Sequence, residues 1–64
     1  MKYPNIKVRL VGEDGSAFAI IGRVSVALKK NKVDAAEISK FRQEAMSGDY
    51  DNLLRTCMDW VNVQ

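Results

Sequence analysis

Cys57 is the one thiol in this sequence, and Asp49 with Asp51 is its most suggestive carboxylate pair. A cysteine nucleophile works as the thiolate, which a neighbouring base must generate or a neighbouring cation must stabilise. The chain contains no histidine, so the commonest general base and the commonest transition-metal ligand are both missing. Cys57 also recurs in step with Tyr50, Leu53, Leu54 and Val61, a helical apolar face that would bury it as an inert thiol.

Asp49 and Asp51, or Glu13 and Asp14 within "GEDG", would suit a hard cation. Neither group has the alternating acidic positions, the glycine and the distal glutamate of a calcium loop. The "SGDYD" stretch reads instead as a helix start: Ser47 or Asp49 caps it, and negative charge in the first turn offsets the helix dipole. The residues therefore imply no metal, no cofactor and no enzyme.

The cations are distributed unevenly. Residues 1–33 carry seven basic side chains against two acidic, a net +5, and residues 34–64 carry three against six, a net −3. Lys29, Lys30 and Lys32, joined by Lys7 and Arg9, could track phosphates as a weak, sequence-independent nucleic-acid binder. The competing reading is a solvated helix end, where cations suit the negative pole. A helix-turn-helix fits "VDAAEI" in its second half only. Leu28, Asn31 and Lys32 stand where alanine, leucine and glycine belong, and the following helix bears Asp34, Glu37 and Glu44 against Lys40 and Arg42.

These residues need elements to position them. Ile6, Val8 and Leu10 alternate with Lys7 and Arg9, the pattern of a strand with one buried face, and Pro4 suits its beginning. "GEDGS" is a turn. Asp14-Gly15 alone would favour a hairpin. Ala17, Ile20, Ile21, Val24, Ala27 and Leu28 repeat at helical spacing, however, with Ser16 as N-cap, so the spacing predicts a helix ending near Asn31. Asp34 and Glu37 match a capping box, and Ile38, Phe41 and Ala45 line a second helix that stops at Met46 to Gly48. The third helix follows, and "WVNVQ" returns to alternation as a short closing strand.

The expected fold is α+β: β-α-α-α-β in one domain over residues 1–64, with three helices on a two-stranded terminal sheet. If each element reverses direction, the strands are parallel. A chain of 64 residues buries only about 60% of its unfolded surface, which argues against a deep substrate cleft. One cysteine allows no internal disulfide, so a reducing, cytoplasmic setting is expected. The opening residues lack the apolar run of a signal peptide, and no stretch reaches membrane-span length, so no membrane partner is expected.

The first helix has a second apolar flank. Phe18, Gly22 and Val26 are spaced by four, off the core stripe, with Arg23 and Lys29 at the rim. A helix apolar on two sides is sandwiched within its domain or faces a partner. The residues leave both open. The "KYPNIKV", "VGEDG", "AFAI" and "SGDYD" blocks resemble those of small uncharacterised bacterial and phage proteins over nearly the whole chain. That resemblance implies a small cytoplasmic, prophage-type accessory protein and supplies no activity. The functional expectation is a non-enzymatic protein-interaction or self-association module acting through Phe18, Gly22, Val26, Arg23 and Lys29. The alternative is the nucleic-acid binder using Lys7, Arg9, Lys29, Lys30 and Lys32.

Overall fold

A computed structural model describes residues 1–64. The order is β1 (Tyr3–Val8), α1 (Ala17–Lys30), α2 (Ala35–Ala45), α3 (Tyr50–Trp60) and β2 (Val61–Val63), an α+β single domain. Three helices separate the strands, and β1 and β2 pair in parallel. No helix is long and apolar enough to cross a membrane.

The core collects the stripes of every element. Ile6 and Val8 from β1, Ile20, Ile21, Val24 and Leu28 from α1, Phe41 and Ala45 from α2, and Leu53, Cys57 and Trp60 from α3 are buried together with Val61. Trp60 is the hub. Its ring meets Phe41 edge-on at a centroid distance of 5.6 Å, Tyr3 lies 6.0 Å away, and its Nε1 donates to Glu44 Oε1 at 3.1 Å. Lys2 Nζ sits 4.0 Å over the same ring, a cation–π contact that ties the start of β1 to the end of α3.

The helix ends differ in detail from expectation. Ser16 accepts from the Ala19 amide at 3.3 Å and caps α1 as predicted. Asp49, rather than Ser47, caps α3, accepting from Asn52 N at 2.9 Å, while Ser47 Oγ donates to the Glu44 carbonyl at the end of α2. Neither half of the α2 capping box forms. Asp34 makes no side-chain cap bond, and the Glu37 carboxylate that should reach back to the Asp34 amide instead accepts from Lys2 Nζ at 3.0 Å and from the Tyr3 hydroxyl at 3.4 Å. The Lys2 hydrogen bond is the main reason that the Glu37 carboxyl titrates below its ordinary range.

Three residues assigned to apolar stripes lie elsewhere. Ala17 opens α1 and is exposed. Tyr50 opens α3 and is 46% exposed, its hydroxyl donating to the Gly15 carbonyl. Val61 is buried, but as the first residue of β2 rather than on α3. α1 closes through Val33 N to Leu28 O and Lys32 N to Lys29 O, both at 3.0 Å. That is a Schellman arrangement, in which Lys32 takes the left-handed position at φ 62.

Candidate functional site

Phe18 is 87% exposed and Val26 55%, so the second flank of α1 is not sandwiched inside the domain. A step of four residues advances the helix azimuth by about 40°. The Phe18–Gly22–Val26 stripe therefore winds around α1 from its α2 side to its β1 side. Phe18 borders a small hollow with Ile21, Gly22, Arg42 and Met46, whereas Gly22 and Val26 face a second groove with residues of β1. Gly22 lines both. A Cβ added there would meet nothing within 4 Å, so α1 is bare backbone at the middle of its crest.

The β1–α1 groove is an open depression of about 600 Å³, lined by Lys7 and Val8 of β1, by Arg9 just beyond it, and by Ala19, Gly22, Arg23, Val26, Ala27, Lys30 and Asn31. Four of these are cationic and none is acidic. Arg23 pairs with Glu13 at 2.7 Å, and the other salt bridge of the molecule is Lys2–Glu37. Lys7, Arg9 and Lys30 thus carry uncompensated charge. The fold therefore merges part of each predicted surface: Gly22, Arg23 and Val26 from the interaction flank share one groove with Lys7, Arg9 and Lys30 from the cationic set.

The remaining predicted cations go elsewhere. Lys29 lies about 100° around the helix from Lys30 and borders a groove between α1 and α2 with Val33, Ile38, Ser39, Arg42 and Met46. Lys32 sits in the turn, where its contribution is the left-handed backbone that ends α1. The predicted five-lysine-and-arginine track is therefore not one continuous surface.

The potential chemical groups behave structurally. Asp49 is a cap and Asp51 lies in the first turn of α3, and no cluster of three or more His, Cys, Asp or Glu side chains is placed to hold a metal. Cys57 is fully buried, and burial pushes its thiol up from 9.0 to about 11, which keeps it protonated near neutrality.

The sequence reading did not single out the exposed apolar residues Val11, Met46 and Met58. Met46 is 61% exposed and extends the Phe18 end of the crest to the C-cap of α2. Met58, 51% exposed, joins Val11, Leu54 and Tyr50 in a separate, uncharged hollow beside Leu10 and Val63. Met58 could have been found from its place one residue after Cys57, off the buried face of α3. Met46 could not, because it follows the last turn of α2 and helical periodicity does not extend to it. Comparison with protein-family models, curated proteins and solved structures gives no significant match.

Proposed function

We propose that the protein is a non-enzymatic interaction module that docks a partner protein on the crest of α1. The observation that carries this reading is Phe18, 87% exposed in the first turn of α1 and followed at helical spacing by bare Gly22 and exposed Val26. Burying a phenylalanine side chain stabilises by about 1.5–3 kcal/mol, so a partner that covers Phe18 gains affinity from a group the fold itself does not use. Gly22 costs α1 about 1 kcal/mol relative to alanine, and its compensation is close approach by another backbone.

Charge favours a foreign acidic partner over a second copy. A symmetric dimer about the β1 side of α1 would set the unpaired Lys7, Arg9 and Lys30 of one copy against the same cationic patch of the other, a repulsive arrangement in an isologous contact. Met46, Arg42 and Lys29 extend the docking face on the α2 side, with Arg23 and Lys30 on the other. A single unpaired cysteine, buried at Cys57, fits a reducing, cytoplasmic setting.

The test is capture of protein from nuclease-treated lysate of the native host by immobilised wild type, Phe18→Glu and Val26→Glu. A defined protein held by the wild type and lost with both variants supports the module. Equal retention by all three refutes it. A second reading rests on the juxtaposition of Lys7, Arg9, Arg23 and Lys30: the groove binds nucleic acid without sequence preference. It requires affinity that falls steeply with salt and with Lys7→Gln and Lys30→Gln, and that ignores Lys32→Gln.

A further inference from the structure

The geometry points to the outer edge of β1 as a docking site for an extended acidic peptide, which adds to the sheet as a third strand between β1 and α1. This deepens the reading of α1 as a wall of an interaction surface by naming the partner's conformation and charge.

The first argument is topological. The sheet has two strands in the order β1-β2, so β1 has a neighbour on one edge only. Gln64 N donates to Val8 O at 2.8 Å and Leu10 N donates to Gln64 O at 2.7 Å. Backbone groups of successive strand residues point to opposite edges, so Val8 and Leu10 face β2 while the N–H and C=O of Lys7 and Arg9 face away from it.

The second argument locates the groove. Side chains of consecutive strand residues project to opposite faces of a sheet. The groove is nevertheless lined by the consecutive residues Lys7, Val8 and Arg9, and by no residue of β2. A groove touching both faces of one strand runs along its edge, and without β2 it must be the free edge. Its far wall is α1, so a peptide seated there has backbone partners on one side and a helix on the other, as in strand addition beside a helix.

The third argument is charge and length. Lys7, Arg9 and Lys30 face the groove without an acidic partner, and Arg23, beside them, is paired with Glu13; the three unpaired cations select carboxylates on the incoming strand. The α1 wall from Ala19 to Lys30 is about 17 Å long, matching about five strand residues at 3.3 Å each. Val26 and the bare Gly22 supply apolar contact and clearance on that wall. The occupant is therefore a short segment in which Glu or Asp alternates with β-branched residues.

The probe is a labelled, end-blocked peptide of about seven residues alternating Glu and Val, long enough to overhang the five-residue wall. Anisotropy gives the affinity, and amide shifts with hydrogen exchange give the location. We expect binding with Lys7 and Arg9 amides shifted and protected, and about tenfold weaker binding for Lys7→Gln combined with Lys30→Gln, both exposed substitutions that leave the fold intact by circular dichroism. Methylating the peptide nitrogens on alternate residues should abolish binding in one phase of the alternation and spare it in the other. Phe18→Glu should leave peptide affinity unchanged, because Phe18 lies outside this groove.

If both methylated series bind like the parent, or the shifts fall on Phe18 and Met46 instead of β1, strand addition is overturned. A single-stranded oligothymidylate that shifts Lys7 and Arg9 and displaces the peptide overturns it in favour of nucleic acid. Loss of peptide binding with Phe18-dependent capture intact refutes the strand site alone. Peptide binding without Phe18-dependent capture supports the strand site and removes the crest.

Discussion

Replacing Gly22 with alanine separates what the fold wants from what a partner wants. Gly22 lies in the interior of α1, exposed, and an added Cβ meets nothing within 4 Å. The methyl group therefore brings no clash, and the helix-propensity difference of about 1 kcal/mol should appear in full as added stability. For 64 residues, an unfolding entropy of about 2.1 cal/mol/K per residue totals about 130 cal/mol/K, so Tm should rise by about 7 °C. Far-ultraviolet circular dichroism across a dilution series, with guanidinium midpoints as a second measure, reads this directly. An unchanged or lowered Tm would mean that α1 is not exposed at Gly22 and would refute the geometry on which the site rests. The same variant should capture the crest-docking partner less well, since the methyl occupies the point of closest backbone approach. A stabilised variant with undiminished capture would show that the glycine has no contact role.

The caps give a paired outcome: Asp49→Ala should cost about 1 kcal/mol in chemical denaturation, whereas Asp34→Ala, which removes no side-chain cap bond, should cost clearly less. Equal losses would contradict the assignment of the caps. Lys32→Gly should stabilise by about 1 kcal/mol, because Lys32 holds φ 62 without the freedom of glycine; a destabilised variant would show that its side chain contributes more than its backbone costs. Cys57 should resist iodoacetamide near pH 8 in the folded protein and react on unfolding. Its thiol is raised from 9.0 to about 11, so the stability from burying the neutral thiol is complete below the unfolded value and is lost as pH rises through about 11. A pH–stability curve flat across that window, compared with Cys57→Ala, would contradict the burial.

The fold was legible where patterns are local. The alternation of Ile6 and Val8, the stripe from Ile20 to Leu28 and the caps at Ser16 and Asp49 each depend on residues within a few positions of one another. The helical stripe outweighed the Asp14-Gly15 hairpin signal because Ile20, Ile21, Val24 and Leu28 together bury far more apolar surface than one turn can specify. The Glu37 half of the capping box was lost to Lys2, a residue 35 positions away. Tyr50 was misplaced because a helix's first residue can turn outward to bond Gly15. The cationic groove was only half legible for the same reason. Lys29 and Lys30 are neighbours in sequence but about 100° apart on the helix, and only folding brings Lys30 beside Lys7 and Arg9.

The open edge of β1 is also consistent with a protein that resists pairing with itself. Sheet edges are protected in natural folds by lysine, proline and irregular pairing. β1 has all three: Lys7 lies in the strand with Arg9 just beyond its end, Pro4 lies within it, and its register with β2 is irregular between Tyr3 and Lys7. Pro4 has no amide to donate, which limits regular pairing to the Lys7–Arg9 end. A second β1 laid against this edge would set Lys7 and Arg9 against like charges, which is destabilising for directly opposed side chains. An acidic strand reverses the sign of that term and leaves the backbone bonds unchanged. The features that keep identical edges apart are thus the ones that would select a carboxylate-bearing strand, and they lie on the same face as the bare backbone of Gly22.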